Sequence, residues 1–271
     1  MSEKEIIQNS KEPVTKKSLI RDLKDGGVEA GSTVIVHSSL SSLGWVCGGP
    51  VALIQALMEV VTDEGTIVMP GHSGDYSDPE HWQNPPVPEE WHETIKEEMP
   101  AFQPEITPTR GVGAVPEVFR KFPDVLRSNH SCMSFTAWGK DAATITADHQ
   151  LDYSMGESSP LDEIYKLNGD ILLIGVDHER NSSIHLAEYK ANYQKNIKKF
   201  GGPIIKEGKR IWVEYEDIDY DSDDFNKVGK AYEEQTEDNE FRCFEIGYTK
   251  AKLFSQKKLV DFAVDWFEKT R

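Results

Sequence analysis

Several protein classes are excluded by what the chain lacks. Its three cysteines, Cys47, Cys132 and Cys243, are widely spaced, odd in number and form no CxxC. That pattern suits neither a disulfide framework nor a zinc ribbon, and reads as reduced thiols. No apolar run approaches the length needed to cross a bilayer, and the opening MSEKEIIQNSKEPVTKK is too polar for a secretory signal. GxxxxGK[ST] is absent, as are internal repeats and low-complexity linkers. Bases are scarce: 30 Lys and Arg stand against 47 Asp and Glu, a formal net charge of −17. Such a field repels nucleic acid and anionic membrane and attracts cations, although acidity also serves solubility alone. The expectation is a cytoplasmic protein with no nucleic-acid or membrane partner, and with homo-oligomer formation left open.

At 271 residues, with 38% hydrophobic and 28% charged side chains, the chain fits a single three-layer fold. Residues 1–14 read as a polar tail and 15–271 as one domain. Thr15 caps a helix whose Leu19, Ile20 and Leu23 share a face and which Gly26-Gly27 stops. A β-branched strand, Thr33 to Val36, precedes a serine-rich loop, a helix from Pro50 to Val61 and the strand TIVMP. Gly71 to Arg110 is a long loop with one helical candidate, Glu89 to Glu98. Further helices are expected over Val112 to Phe122, from Pro160 to Asn168, and over Ile184 to Tyr193. FTAW (Phe135 to Trp138) and DILLIGV read as strands, the latter buried. GGPIIKEGKRIWVEYEDIDY carries a hairpin signal at Glu207-Gly208, and the acidic stretch Glu214 to Asp224 reads as a solvated edge and loop. The C-terminal KKLVDFAVDWFEKTR is an amphipathic helix. The fold class expected is α/β, a central mainly β sheet flanked by helices, with long loop insertions.

Four constellations carry chemistry. Where a strand runs through His37-Ser38-Ser39-Leu40-Ser41-Ser42 into a helix, free backbone N–H groups and the helix dipole favour an anion such as a phosphate. Thr109-Arg110-Gly111-Val112-Gly113-Ala114 contains GxG without the third glycine of the dinucleotide fingerprint; Arg110 there still suits a phosphate. In SIHLAE, His185 and Glu188 lie three apart on one helix face. A carboxylate beside an imidazole orients the ring and stabilises the imidazolium, the arrangement of a general base, and also of an ordinary structural pair. Finally, His72, Asp75, Asp78 and His81 are spaced like ligands of zinc or manganese, or as the acidic and aromatic border of a site for a cation.

In order along the chain, VIVHSSLSSLGWVCGG, EGTIVMP, SDPEHW with PPVPEEW, TPTRGVG, RSNHSCMSFTAWG, GESSPL, ILLIGV and SIHLAEY resemble the aminoglycoside 3-N-acetyltransferase family. The resemblance runs from about Thr15 onward. It implies one α/β domain, acetyl-coenzyme A as donor, a cationic aminosugar amine as acceptor, and no metal. It implies coenzyme A contacts from Ser38, Ser39, Leu40, Arg110, Gly111 and Val112, with His185 as general base oriented by Glu188. After EGTIVMP such a family presents a threonine or serine that could hold the thioester oxygen; here Gly71 and His72 stand there and Ser73 is the substitute. Asn129-His130 is followed by Ser131 rather than proline. Two other readings compete: a metallohydrolase using His72, Asp75, Asp78 and His81, and a non-catalytic protein that binds coenzyme A or a cationic ligand.

Overall fold

Along the strand Thr33–Ser38, side chains alternate between two hydrophobic clusters, Val34 and Val36 to one and Ile35 to the other. This is the period of two that a strand buried on both faces requires. The computed structural model describes residues 2–237 and 240–271. Its strands are β1 (Thr33–Ser38), β2 (Thr66–Pro70), β3 (Leu126–Arg127), β4 (Phe135–Gly139), β5 (Asp170–Ile174), β6 (Ile197–Lys206), β7 (Lys209–Ile218), β8 (Phe241–Ile246) and β9 (Thr249–Ser255). Its helices are α1 (Glu3–Asn9), α2 (Lys16–Asp25), α3 (Gly49–Val61), α4 (His92–Glu98), α5 (Ala114–Phe119), α6 (Ala142–Thr146), α7 (Pro160–Lys166), α8 (Ser183–Lys190), α9 (Phe225–Gln235) and α10 (Gln256–Thr270).

Seven strands form one mixed sheet in the order β3-β4-β2-β1-β5-β9-β8. Only the centre is parallel: β1 pairs with β2 from Thr33↔Thr66 and with β5 from Val34↔Asp170. β4 and β9 flank that core in antiparallel register. Helices α2, α3 and α5 cover the face presented by Val34, Val36, Ile67, Met69, Leu172 and Ile174. The other face, with Ile35, Val68, Phe135, Ile171 and Leu173, lies under α6 to α10. The expected sheet between helical layers is therefore present.

Local chemistry sets the element ends. Thr15 accepts from the Ser18 amide at the start of α2, and Ser159 caps α7 with Pro160 in the first turn. β6 and β7 form a separate two-stranded sheet closed between Lys206 and Lys209. At its turn Glu207 and Gly208 take φ of 52° and 74°, both left-handed, as a type I′ hairpin demands.

Within the polar N-terminal segment lies α1, capped by Ser2. The acidic stretch departs from its expected solvated character. Its first part completes β7, and Asp217 is fully buried, accepting from the hydroxyls of Ser154, Tyr189 and Tyr220. Hydroxyl donors replace the water that a carboxylate would otherwise need.

Candidate active site

The parallel strands β1, β2 and β5 all end at one side of the sheet, and a cleft of about 970 Å³ opens there. In open α/β sheets this edge is where unpaired strand ends and helix N-termini leave room for ligands. Its walls include Val36 to Ser41, Pro70, His72, Gly111 to Ala114, Gly175, Val176 and His185. α1 contributes Glu3 and Ile6 to the rim.

The loop after β1 is ordered by its own serines. The Ser39 amide donates to Ile174 O at 2.9 Å, and Ser42 Oγ donates to Ser39 Oγ at 2.8 Å. Gly48 and Gly49 then take left-handed φ of 88° and 55°, and α3 begins with Gly49 on the cleft wall. The Gly49 amide is taken by Val46 O at 2.9 Å and Pro50 has no N–H, so an anion at this end of the cleft is offered the serine hydroxyls of the β1 loop and the positive end of the α3 dipole. Opposite them, Gly111 and Gly113 adopt φ of 81° and 88°. A Cβ there would meet nothing within 4 Å, so the glycines answer a conformational need rather than a steric one.

Helix α8 sets His185 and Glu188 on adjacent turns, Nδ1 of the ring 2.5 Å from Oε2 of the acid. The carboxylate side chain is 1% exposed and the imidazole 16%. Since an ionised carboxylate only accepts, Nδ1 is the donor and Nε2 is the nitrogen left to take a proton. Phe225 and Tyr220 pack edge-on against the ring, with centroids at 4.6 and 5.4 Å. Glu188 Oε1 is bound in turn by Arg271 Nη1 at 2.6 Å.

Two further histidines line the same walls. Burial, and secondarily charge on His72, pushes His37 down to about 3. Burial, followed by His185, His149 and Arg127, pushes His72 to about 3. Both rings are neutral near pH 7, and His37 Nε2, Ser38 Oγ and His72 Nδ1 are buried without a partner among the described residues. Such atoms fit a ligand that brings its own donors and acceptors. The apolar wall of Val36, Leu40, Val46, Val112, Met133 and Met155 suits an alkyl arm. Both features fit coenzyme A.

The residues singled out in the sequence divide accordingly. Ser38, Ser39, Leu40, Gly111, Val112 and His185 meet at the cleft, with Glu188 directly behind His185. Arg110 is not on the wall: it is 56% exposed, with Nη1 3.3 Å from Asp75 Oδ2. Ser73 is also off the wall, fully buried, donating to Pro108 O at 2.6 Å and accepting from Arg127. The four loop groups proposed as metal ligands are dispersed. His72 faces the cleft, Asp75 meets Arg110, Asp78 meets Lys96 at 2.7 Å, and His81 meets Lys199 O at 2.9 Å. Among the described residues the ligand-like cluster is instead Asp177, His178 and Glu233, and Lys252 Nζ already lies 2.7 Å from both acids.

Residues that the sequence did not mark brace the site from a distance. Arg127 donates to Gly71 O, Thr107 O, Ser73 Oγ and Ser134 Oγ, tying the long loop to β3 and β4. Its guanidinium lies 4.9 Å from the Phe102 ring. Nothing local marks Arg127: β3 is a two-residue edge strand whose other residue, Leu126, is exposed.

A three-layer α/β fold with a histidine–carboxylate pair at the strand ends defines the class of protein, and comparison places the chain within it. Residues 35–268 match the model of the aminoglycoside 3-N-acetyltransferase family. The SPbeta prophage-derived aminoglycoside N(3')-acetyltransferase-like protein YokD of Bacillus subtilis (strain 168) is 48% identical over 97% of this chain and 96% of its own. The crystal structure of YokD superposes with a TM-score of 0.95 at 47% identity, covering 98% of both chains. AAC-VIa bound to sisomicin superposes with a TM-score of 0.86 at 30% identity over 95% and 98% of the chains. AAC-IIIb in a binary complex with CoASH gives 0.84 at 29% over 95% and 97%. The chain belongs to the aminoglycoside 3-N-acetyltransferase family, a family of acyltransferases. Among the described residues no helix is long and apolar enough to cross a membrane.

Proposed function

We propose that the protein transfers an acetyl group from acetyl-coenzyme A to an amine of a cationic aminosugar, with His185 as general base. The observation that carries this reading is the His185–Glu188 pair, 2.5 Å apart, presenting its free nitrogen to a cleft at the ends of the parallel strands. The thioester supplies an activated acyl carbon with a thiolate leaving group. An acceptor amine is largely protonated near neutrality and cannot attack until it loses that proton. His185 Nε2 takes it, directly or through water, and Glu188 stabilises the imidazolium that results.

The remaining residues bind and orient. The loop of Ser38, Ser39 and Leu40 and the first turn of α3 take the anionic part of the donor, with Gly111 and Val112 on the opposite wall. Arg110 adds a phosphate contact only by releasing Asp75; Ser73 acts as a brace for the loop under His72. Glu3 and Glu179 border the cleft and match the positive charge of the acceptor. Direct attack needs no acyl-enzyme. The cysteines support none: Cys47 and Cys243 are outside the cleft wall, and burial pushes the Cys132 thiol up to about 12.

The test follows thiol release from acetyl-coenzyme A against kanamycin-like and gentamicin-like aminosugars and simple polyamines. Saturable release with an aminosugar, lost in His185→Ala while coenzyme A still raises the melting temperature, is the expected result. Wild-type turnover by His185→Ala removes the base. Saturable coenzyme A binding without release across the whole panel leaves a binding protein instead.

A further inference from the structure

Glu188 poses an electrostatic question that the cleft itself does not answer. Its carboxylate, carried on α8, is buried, and a buried charge needs an opposite charge or several donors to remain ionised. His185 fills Oε2, but a neutral imidazole supplies one donor and no charge. Oε1 receives Arg271 Nη1 at 2.6 Å and, more weakly, the Asp221 amide at 3.3 Å.

Arg271 is itself held from several elements. Its Nη2 and Nε meet the two oxygens of Asp224 at 2.6 and 3.1 Å, a bidentate fork. Nη2 also donates to Asp221 O at 2.7 Å, and Nη1 reaches Tyr193 OH at 3.2 Å. The guanidinium lies 4.0 Å from the ring of Phe267, which α10 buries in the core. Burial opposes its charge, yet the bonds to Asp224 and Glu188 outweigh that and hold it above its ordinary value. The arrangement joins α8, the segment before α9 and the end of α10 at one carboxylate oxygen.

We propose that Arg271 is the positioning residue of the His185–Glu188 pair: by occupying Oε1 it sets a positive charge against the buried carboxylate and turns it so that Oε2 holds Nδ1–H and Nε2 faces the cleft. The inference rests on the reading of His185 as the base. Arg271 touches neither donor nor acceptor; it acts through Glu188. The charged and titratable groups around the pair are His72 beyond β2, Tyr220 after β7, Asp221 and Asp224 before α9, Tyr193 and Lys195 after α8, and Glu179 and Arg180 on the cleft wall. Among them Arg271 is the cation in direct contact with Glu188.

Removing that positive charge has one sign whichever member of the pair titrates. Protonation of Glu188 becomes easier, and so does formation of the imidazolium, because a like charge no longer opposes it. Both move the acidic limb of the kcat/KM profile to higher pH. A unit charge one residue away across a partly buried contact is expected to shift it by about one pH unit, or about tenfold in kcat/KM at a pH on the limb. Loss of packing alone would lower the profile without moving it.

The experiment compares pH profiles of thiol release for wild type, Arg271→Met and Arg271→Lys. The Met variant keeps the apolar stem over Phe267. Its limb is expected to move up, with the Lys variant returning it toward wild type because the charge is restored. A Met profile parallel to wild type, with the limb unmoved, overturns the inference. If the Met variant does not fold, as judged by its melting curve, Arg271→Gln carries the same comparison with the same two outcomes. His185→Gln is measured alongside: retained turnover there removes the base, whereas an inactive His185→Gln with an unmoved Arg271→Met limb removes only the role of Arg271.

Discussion

Two histidine–carboxylate pairs pack against the same helix, α9, and their difference shows what separates the proposed base from a structural pair. His185 meets Glu188 at 2.5 Å, and His178 meets Glu233 at 2.8 Å. Each acid is bound by a cation, Arg271 in one case and Lys252 in the other. The partners and their spacing in space are nearly the same. His178, however, is fully buried: Nε2 is taken by Glu233, Nδ1 lies 3.4 Å from Asn181, and the ring packs against Phe254 and Gly229. It has no nitrogen to offer. His185 keeps one nitrogen free at a cleft wall. Pairing with a carboxylate confers basicity and orientation; access to a substrate comes from where the fold ends its strands.

The largest separation between the pairs is expected on removing the imidazoles. His185→Ala should lower turnover by about 10²–10⁴-fold, the worth of a positioned general base, with little change in melting temperature. His178→Ala should do the reverse, costing about 2–4 kcal/mol of stability by opening a cavity and breaking a buried network, with turnover per folded molecule retained. Denaturant melts beside thiol-release rates check both, and a stability loss without an activity loss in His185→Ala would erase the distinction. Isosteric changes in the acids sharpen it. Glu188→Gln keeps the shape but not the charge and should reduce kcat by about 10²-fold. Glu233→Gln should leave kcat unchanged and cost about 1–2 kcal/mol as Lys252 loses one of its two acids.

Packing around the silent pair offers a further break. A Cβ on Gly229 would come within 2.0 Å of the His178 ring, so Gly229→Ala must displace the imidazole or the helix. The expected cost is about 1–3 kcal/mol, read from denaturant melts. Turnover at saturating substrate should be retained where the His178 ring gives way, and should fall where α9 shifts, because Phe225 on that helix packs against His185.

How far this was legible in the sequence follows from which interactions are local. β1, α3, β2 and β5 are buried on both faces or strongly periodic, and the β6–β7 turn is set by Glu207-Gly208, so their patterns survive in a few consecutive residues. β8 and β9 were not anticipated. FRCFEI and TKAKLFS interleave charges with apolar residues because β8 is the half-exposed edge of the sheet and β9 lies next to it, and α9 hides behind Gly229 and an acidic lead-in. At the site, His185 and Glu188 were readable because a helix makes residues three apart neighbours. Arg271 lies 83 positions from Glu188, and Arg127 lies 54 from Ser73; no spacing rule reaches so far. The loop at His72, Asp75, Asp78 and His81 shows the converse. Regular spacing in an irregular segment sends each side chain to a different partner.

A third set of histidines extends the comparison to rings with no carboxylate at all. Among the described residues, burial pushes His37, His72 and His149 to about 3 and His130 to about 4. The sign follows from linkage. In the unfolded chain each takes a proton near its ordinary value of 6.5, whereas the folded chain resists until about 3, or about 4 for His130, so between these limits the unfolded state binds more protons. Stability therefore falls as pH drops from 6.5 toward 3, by up to about 1.4 kcal/mol per pH unit for each such ring. His37 is the cleanest to remove, because its Nε2 has no partner to orphan. His37→Leu should leave stability near pH 7 within about 1 kcal/mol and flatten the acid slope by up to one proton. Urea melts at pH 7, 6 and 5 measure that slope directly. An unchanged slope would mean that the buried imidazole protonates in the folded state, and that burial alone does not distinguish the silent histidines from His185.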